Sequence, residues 1–227
     1  NSYEFGLNGG LTGAGLADAD QPAGDNTVSF NSSVVSEDNK TGMSLYGYYR
    51  NRKPFDANGD GFSELSSIKN TTVGTRLFHR FGTKSKISAD FFHINEDRRG
   101  GDKFEYPLHE SGIAEAVEHN ITTGAITFEH FVTGSNMISA FVSAQHVNRD
   151  SYYGAEQSLS DYGNTRDLSY VTGIQYNARL NNGKLVAGFE NQGSWLKDKK
   201  LGYPDIENAV YHPEDSSIIV PHVNNLL

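Results

Sequence analysis

The densest set of hard oxygen donors in this 227-residue chain is the segment Asp56-Ala57-Asn58-Gly59-Asp60-Gly61-Phe62-Ser63-Glu64. Its D-x-N-x-D-G spacing is the opening of a calcium loop. Asp56, Asn58 and Asp60 offer side-chain oxygens at alternate positions. Gly61 permits the sharp turn, Phe62 adds a backbone carbonyl and Glu64 a carboxylate. The twelfth position is Ser67, not the bidentate Glu of a full EF-hand, and no helices flank the segment. Two readings stay open: a calcium-ordered loop, or an acidic turn, since Asp, Asn and Gly favour turns without any metal.

Other chemistry finds less support. The histidines include His79, His93, His109, His119, His130 and His146, mostly near strand ends or on strand faces, where structural roles outweigh metal ligation. His109-Glu110 lacks the second histidine of an HExxH helix. There is no GxSxG elbow. Gly82-Thr83-Lys84-Ser85 lacks the glycines of a phosphate loop, and Gly9–Gly15 follows no βαβ pattern. Asp90, Asp97 and His93 are the residues an enzyme on a small barrel would use, but no motif joins them. The expectation is no bond chemistry and no organic cofactor. A net charge of -9 excludes an ordinary nucleic-acid binder. Cysteine is absent, so there is neither a disulfide framework nor a thiolate metal site.

The elements that must carry these residues are strands. Tyr3, Phe5, Leu7 and Leu11 alternate with polar or small neighbours, as do Val28, Phe30 and Val34, then Met43, Leu45 and Tyr49. The period of two recurs through Val73 and Leu77, Ile87 and Phe91, Ile126 and Phe128, Ile138 and Val142, Ile174 and Tyr176, and Leu185 and Phe189. That makes about nine strands of roughly ten residues, the length that crosses a bilayer at a tilt. Short turns at 82–85, 133–136, 181–183 and 38–41 alternate with long polar connections at 14–24, 51–66, 98–118, 150–165 and from Lys197 onward. Ser111–His119 is rich in helix formers and predicts a short helical turn within one connection.

Alternating short and long connections are the mark of an outer-membrane barrel. The fold class is therefore all-β, a transmembrane antiparallel β-barrel with outer-membrane lipid as its surroundings. Tyr46, Tyr48 and Tyr49, and Tyr152 and Tyr153, are assigned to interfacial girdles, with Tyr152 and Tyr153 also exposed enough to touch a ligand. Glu4, Arg50, Arg76, Asp90, Glu129 and Glu190 are assigned to the lumen. An odd strand count and a proline-bearing final segment, Gly202–Leu227, suggest part of a larger barrel. Two rivals remain: a complete small barrel acting as porin, adhesin or enzyme, and a soluble β-sandwich that binds glycans through calcium.

One segment is more specific than periodicity. Arg99-Gly100-Gly101-Asp102-Lys103-Phe104 leads through Pro107, His109-Glu110 and Ile113-Ala114-Glu115 to Glu118-His119-Asn120-Ile121. It resembles the early barrel of TonB-dependent receptors of Bacteroidota, nearest their vitamin B12 (cobalamin) branch. The resemblance is clearest over 50–129. It implies about 22 strands around an N-terminal plug, the plug lying outside this chain, with Arg99, Gly100, Gly101, Phe104, Pro107, His109, Glu110 and Glu115 in a motif loop. It also implies import of cobalamin, haem or a siderophore with energy from TonB, at the bacterial outer membrane, with a surface lipoprotein as an optional cap. Within the loop, His109 and Glu110 are expected to pack or to pair with Arg98 or Arg99.

Overall fold

The computed structural model describes residues 1–16 and 21–200, and the backbone alone of three short strands beyond them. Nine long strands run in chain order: β1 (Ser2–Thr12), β2 (Ala23–Val35), β3 (Thr41–Arg52), β4 (Ser67–Phe81), β5 (Ser85–Gly101), β6 (Ile113–Phe131), β7 (Met137–Ala155), β8 (Tyr162–Leu180) and β9 (Gly183–Lys200). Each pairs antiparallel with the next. The short β10 (Val210–His212) and β11 (Ser217–Ile219) pair with one another, and β12 (Asn225–Leu226) extends the main sheet beside β9. All nine long strands belong to one ten-stranded sheet. A sandwich needs two sheets packed face to face, so the sandwich rival is overturned. The long connection expected from Lys197 onward falls largely outside the described residues.

The register sorts side chains into two faces, because successive residues of a strand point oppositely. One face carries Phe5, Phe30, Leu77, Phe91, Ile126, Val142, Ile174 and Phe189 towards the short turns. Nearer the long connections the same face turns polar, with Lys69, Asp97, Glu118, Asp150, Arg166 and Lys197. The apolar belt is thus one membrane's depth of strand, and the upper ends of β5–β9 continue above it into water. Strand lengths agree: β6, β7 and β8 have 19 residues each, against about 9–11 for a crossing. The opposite, inner face holds Glu4, Arg50, Arg76, Asp90, Glu129 and Glu190, as their alternation predicted. There Arg76 pairs with Asp90 at 2.5 Å and Lys86 with Glu129 at 3.6 Å.

Aromatic rings and glycines interlock on both faces. Phe30 lies across Gly47 on the outer face, and Tyr46 across Gly74 on the inner one. A β-carbon at either glycine would collide with the ring.

Three expectations are corrected. Ser111–His119 is not helical: β6 begins at Ile113, and the connection holds only a 3-10 turn at Leu108–Glu110. Ladders on both sides of the segment, to β5 and β7, override its helix propensity. The upper connections are shorter than the sequence suggested, 102–112 and 156–161 in place of 98–118 and 150–165, because charged residues continue the strands above the belt. Tyr46 and Tyr48 are not girdle residues, since their parity puts them on the inner face, away from Tyr49.

Candidate functional site

Two connections fold over opposite faces of the strand tops. The first, between β3 and β4, is closed by a bridge between Phe55 and Leu65, with Phe55 buried. Its tip is self-bonded. The Asp56 carboxylate accepts from the backbone N–H groups of Asn58, Gly59 and Gly61, at 3.2, 2.7 and 2.7 Å. Asp60 accepts from Phe62 N–H at 2.9 Å and from the Asn58 amide at 3.0 Å, and Glu64 from Ala57 N–H at 2.6 Å. Desolvation disfavours the Asp56 charge, but these N–H groups outweigh it and lower its pKa. Carboxylate oxygens of Asp56, Asp60 and Glu64 come within 4.8 Å of one another, a grouping able to hold a cation. Asn58 adjoins them, and Phe62 lines the inner vestibule.

That vestibule is a cavity of about 760 Å³ at the top of the inner face, lined by Phe62 and Glu64 from the loop and by Glu96, Arg98, Glu115, His119 and Tyr153 from β5, β6 and β7. Ser63 ties the loop to β5: its N–H donates to Gly101 O at 3.0 Å, and its hydroxyl accepts from Gly101 N–H at 3.1 Å. Glu96 is the electrostatic centre. Partial burial opposes its charge, yet Arg98 at 2.6 Å and the Asn70 amide at 2.7 Å hold its carboxyl below the usual range. Burial lowers the pKa of His119, Arg149 and Arg98 add to the effect, and Glu96 opposes it, so His119 is neutral at physiological pH. Tyr153 is 51% exposed. The vestibule therefore offers two aromatic rings, a neutral imidazole and three carboxylates around one guanidinium.

The second connection, 102–112, leans over the outer face. Arg99, outward by parity, donates to the carbonyls of Tyr106 and Lys103, both at 2.9 Å, and to the Ser111 hydroxyl at 3.1 Å. Its guanidinium also lies 5.3 Å from the centre of the Phe104 ring. The Asp102 carboxylate accepts from Gly112 and Ile113 N–H at 3.1 and 3.0 Å. Gly101 has φ 111° and abuts Ile113 O, so a side chain there is excluded twice over. Pro107 precedes the 3-10 turn. His109 meets the Tyr162 hydroxyl at 3.0 Å. The expected pairing of His109 or Glu110 with Arg98 or Arg99 is corrected, because Arg98 binds Glu96 and Arg99 is spent on loop oxygens.

The motif residues thus divide. Glu115 and the backbone of Gly100 and Gly101 border the vestibule, while Arg99, Phe104, Pro107, His109 and Glu110 build the outward loop. Tyr152 and Tyr153 separate too. Tyr152 is 1% exposed, donates to Ser158 O at 2.9 Å and packs on Tyr162, so its expected exposure is corrected. Burial raises its phenol pKa. Sequence reasoning missed Glu96, Arg98 and His119 as vestibule residues. Their common parity with Glu115 and Tyr153 across the paired strands was the signal.

Comparison with solved structures places the architecture. The siderophore receptor PiuA from Acinetobacter baumannii superposes with a TM-score of 0.56 at 10% sequence identity, over 96% of this chain and 33% of that chain. The sheet therefore has the fold of an outer-membrane receptor barrel wall, and the chain spans about a third of that receptor's length. No family model matches the sequence. None of the curated proteins matches it either.

Proposed function

We propose that this chain is a section of the barrel wall of a TonB-dependent outer-membrane receptor that imports a scarce nutrient. The observation that carries the reading is the two-zone outer face, an apolar belt one bilayer deep under charged strand tops, opposite a polar inner wall. The likeness to a receptor barrel supports it. The vestibule of Phe62, Glu64, Glu96, Arg98, Glu115, His119 and Tyr153 is the place where this section meets cargo.

Within that reading the cargo is a cobalamin, haem or ferric-siderophore chelate, cobalamin being favoured by the resemblance of the segment 99–121. A capping lipoprotein remains compatible with it. The 56–64 loop takes calcium, with Asp56, Asn58, Asp60 and Glu64 as ligands. Uptake of labelled cyanocobalamin, haem and a ferric siderophore by cells carrying the full reading frame tests the proposal. Uptake of one cargo, abolished by a protonophore and by loss of TonB, is expected. Uptake of all three that is indifferent to both treatments would sink it. For calcium, titration of the purified receptor should show binding that is lost in Asp60→Asn; an identical isotherm for both proteins refutes that assignment.

A further inference from the structure

We propose that the inner vestibule recognises an organic cation, a protonated or quaternary amine carried by the cargo, with the rings of Tyr153 and Phe62 and the carboxylates of Glu115 and Glu64. The register brings the first two together. Glu115 and Tyr153 are directly opposite partners on β6 and β7, and their parity turns both to the inner face. On its other side Glu115 faces Gly100 of β5. Glycine leaves that position without a side chain, and a β-carbon there would lie 3.5 Å from Ser66 and 3.7 Å from the Ser63 hydroxyl. The 53–66 connection therefore settles directly over Gly100, beside Glu115, and delivers Phe62 and Glu64 to the same cavity.

Charge selects the sign of the ligand. Arg98 lines the cavity, but its guanidinium is spent on Glu96 at 2.6 Å. None of the ion pairs among the described residues involves Glu115 or Glu64. His119 is neutral and adds no opposing charge. The cavity thus keeps negative charge that repels a carboxylate or phosphate and attracts a cation. The rings narrow the class. Tyr153 and Phe62 are 51% and 39% exposed, and an ammonium group is drawn to a ring face as well as to a carboxylate. A bare metal ion needs several oxygens converging on one point. Among the described residues the carboxylates grouped that closely are Asp56, Asp60 and Glu64, without Glu115. An amine on an apolar stem uses all four side chains. Among chelates, one with an amine arm is favoured, and haem, with its propionates, is disfavoured.

The inference rests on the vestibule being the place where cargo enters, but its test needs no cargo. Full-length receptor, in a non-ionic detergent without amine groups and in buffer free of divalent cations, is titrated with three probes that share one ring. These are benzyltrimethylammonium, benzyl alcohol and benzoate. The ammonium should bind saturably and the other two should not. E115Q should weaken its binding about fivefold, the upper range for one exposed ion pair. Tyr153→Leu should weaken it by about as much through loss of the ring face. D97N/E118Q/D150N, which removes three carboxylates from the outer face of β5, β6 and β7, should leave it unchanged. Equal binding of benzyl alcohol or benzoate, or no saturable binding of the ammonium, overturns the proposal. So does an affinity that survives both E115Q and E64Q, or one that falls as far in the outer-face variant. If Tyr153→Leu does not fold, the two isosteric glutamines still decide. Failed nutrient uptake with intact ammonium binding would fault the receptor reading alone.

Discussion

At the scale of the residue, the wall is set by pairs of unequal size. Phe30 over Gly47 and Tyr46 over Gly74 leave no room for a β-carbon. Gly74→Val should therefore destabilise the sheet by about 1–3 kcal/mol, the usual cost of overpacking, read as a lower urea midpoint for unfolding in micelles. Asp38, in the turn between β2 and β3, is a second case. The Ser36 hydroxyl donates to its carboxylate at 2.7 Å and Lys40 N–H at 3.1 Å, holding its pKa down at about 2. A carboxyl lowered on folding stabilises the folded state above its unfolded pKa of 3.8, and that help is lost as pH falls towards 2. Wild type should thus exceed Asp38→Asn in thermal stability at pH 6 and converge with it by about pH 2. Such pairs were hidden in the sequence, because Tyr46 and Gly74 meet only once the register between β3 and β4 is fixed. Tyr152 and Tyr153 carry the same lesson. Adjacent identical residues on a strand face opposite ways, so one is sealed in the wall and the other lines the vestibule.

At the scale of the element, the 102–112 loop is held by its two ends. Asp102 caps the start of β6, and Arg99 gathers the loop's carbonyls. Asp102→Ala leaves two N–H groups without their acceptor and should cost about 1–3 kcal/mol. Limited proteolysis should then cut within 102–112 well before any other connection; an unchanged digestion pattern would contradict the capping role. The residues Arg99 to Ile113 stood out in the sequence as a motif, but their job was not legible there. An arginine among polar neighbours reads as readily as a ligand contact as it does as a loop anchor, and the outward parity of Arg99 decides between them. Helix formers such as Ala114 and Ala116 misled for a related reason: propensity acts locally, and the ladders to β5 and β7 come from residues far along the chain.

At the scale of the whole molecule, period-two alternation alone sorted the two faces correctly, because the solvent differs on each side of the wall. A cation in the middle of the belt should cost about 2–4 kcal/mol. Ile126→Arg on the outer face is expected to lower outer-membrane yield and unfolding free energy in lipid by that amount. Its inner neighbour, Ala125→Arg, placed across the ladder from Asp90, should remain close to wild type. A larger loss for Ala125→Arg than for Ile126→Arg would mean that the faces have been assigned the wrong way round.

Two of the upper connections lean apart, 53–66 over the inner face and 102–112 over the outer. An antibody or phage tail arriving from the medium would meet the outward loop without obstructing the passage. A binder raised against 53–66 would cover the inner vestibule. If the chain acts as the receptor proposed above, surface pressure should diversify 102–112 freely among strains, while 53–66 changes only with the cargo.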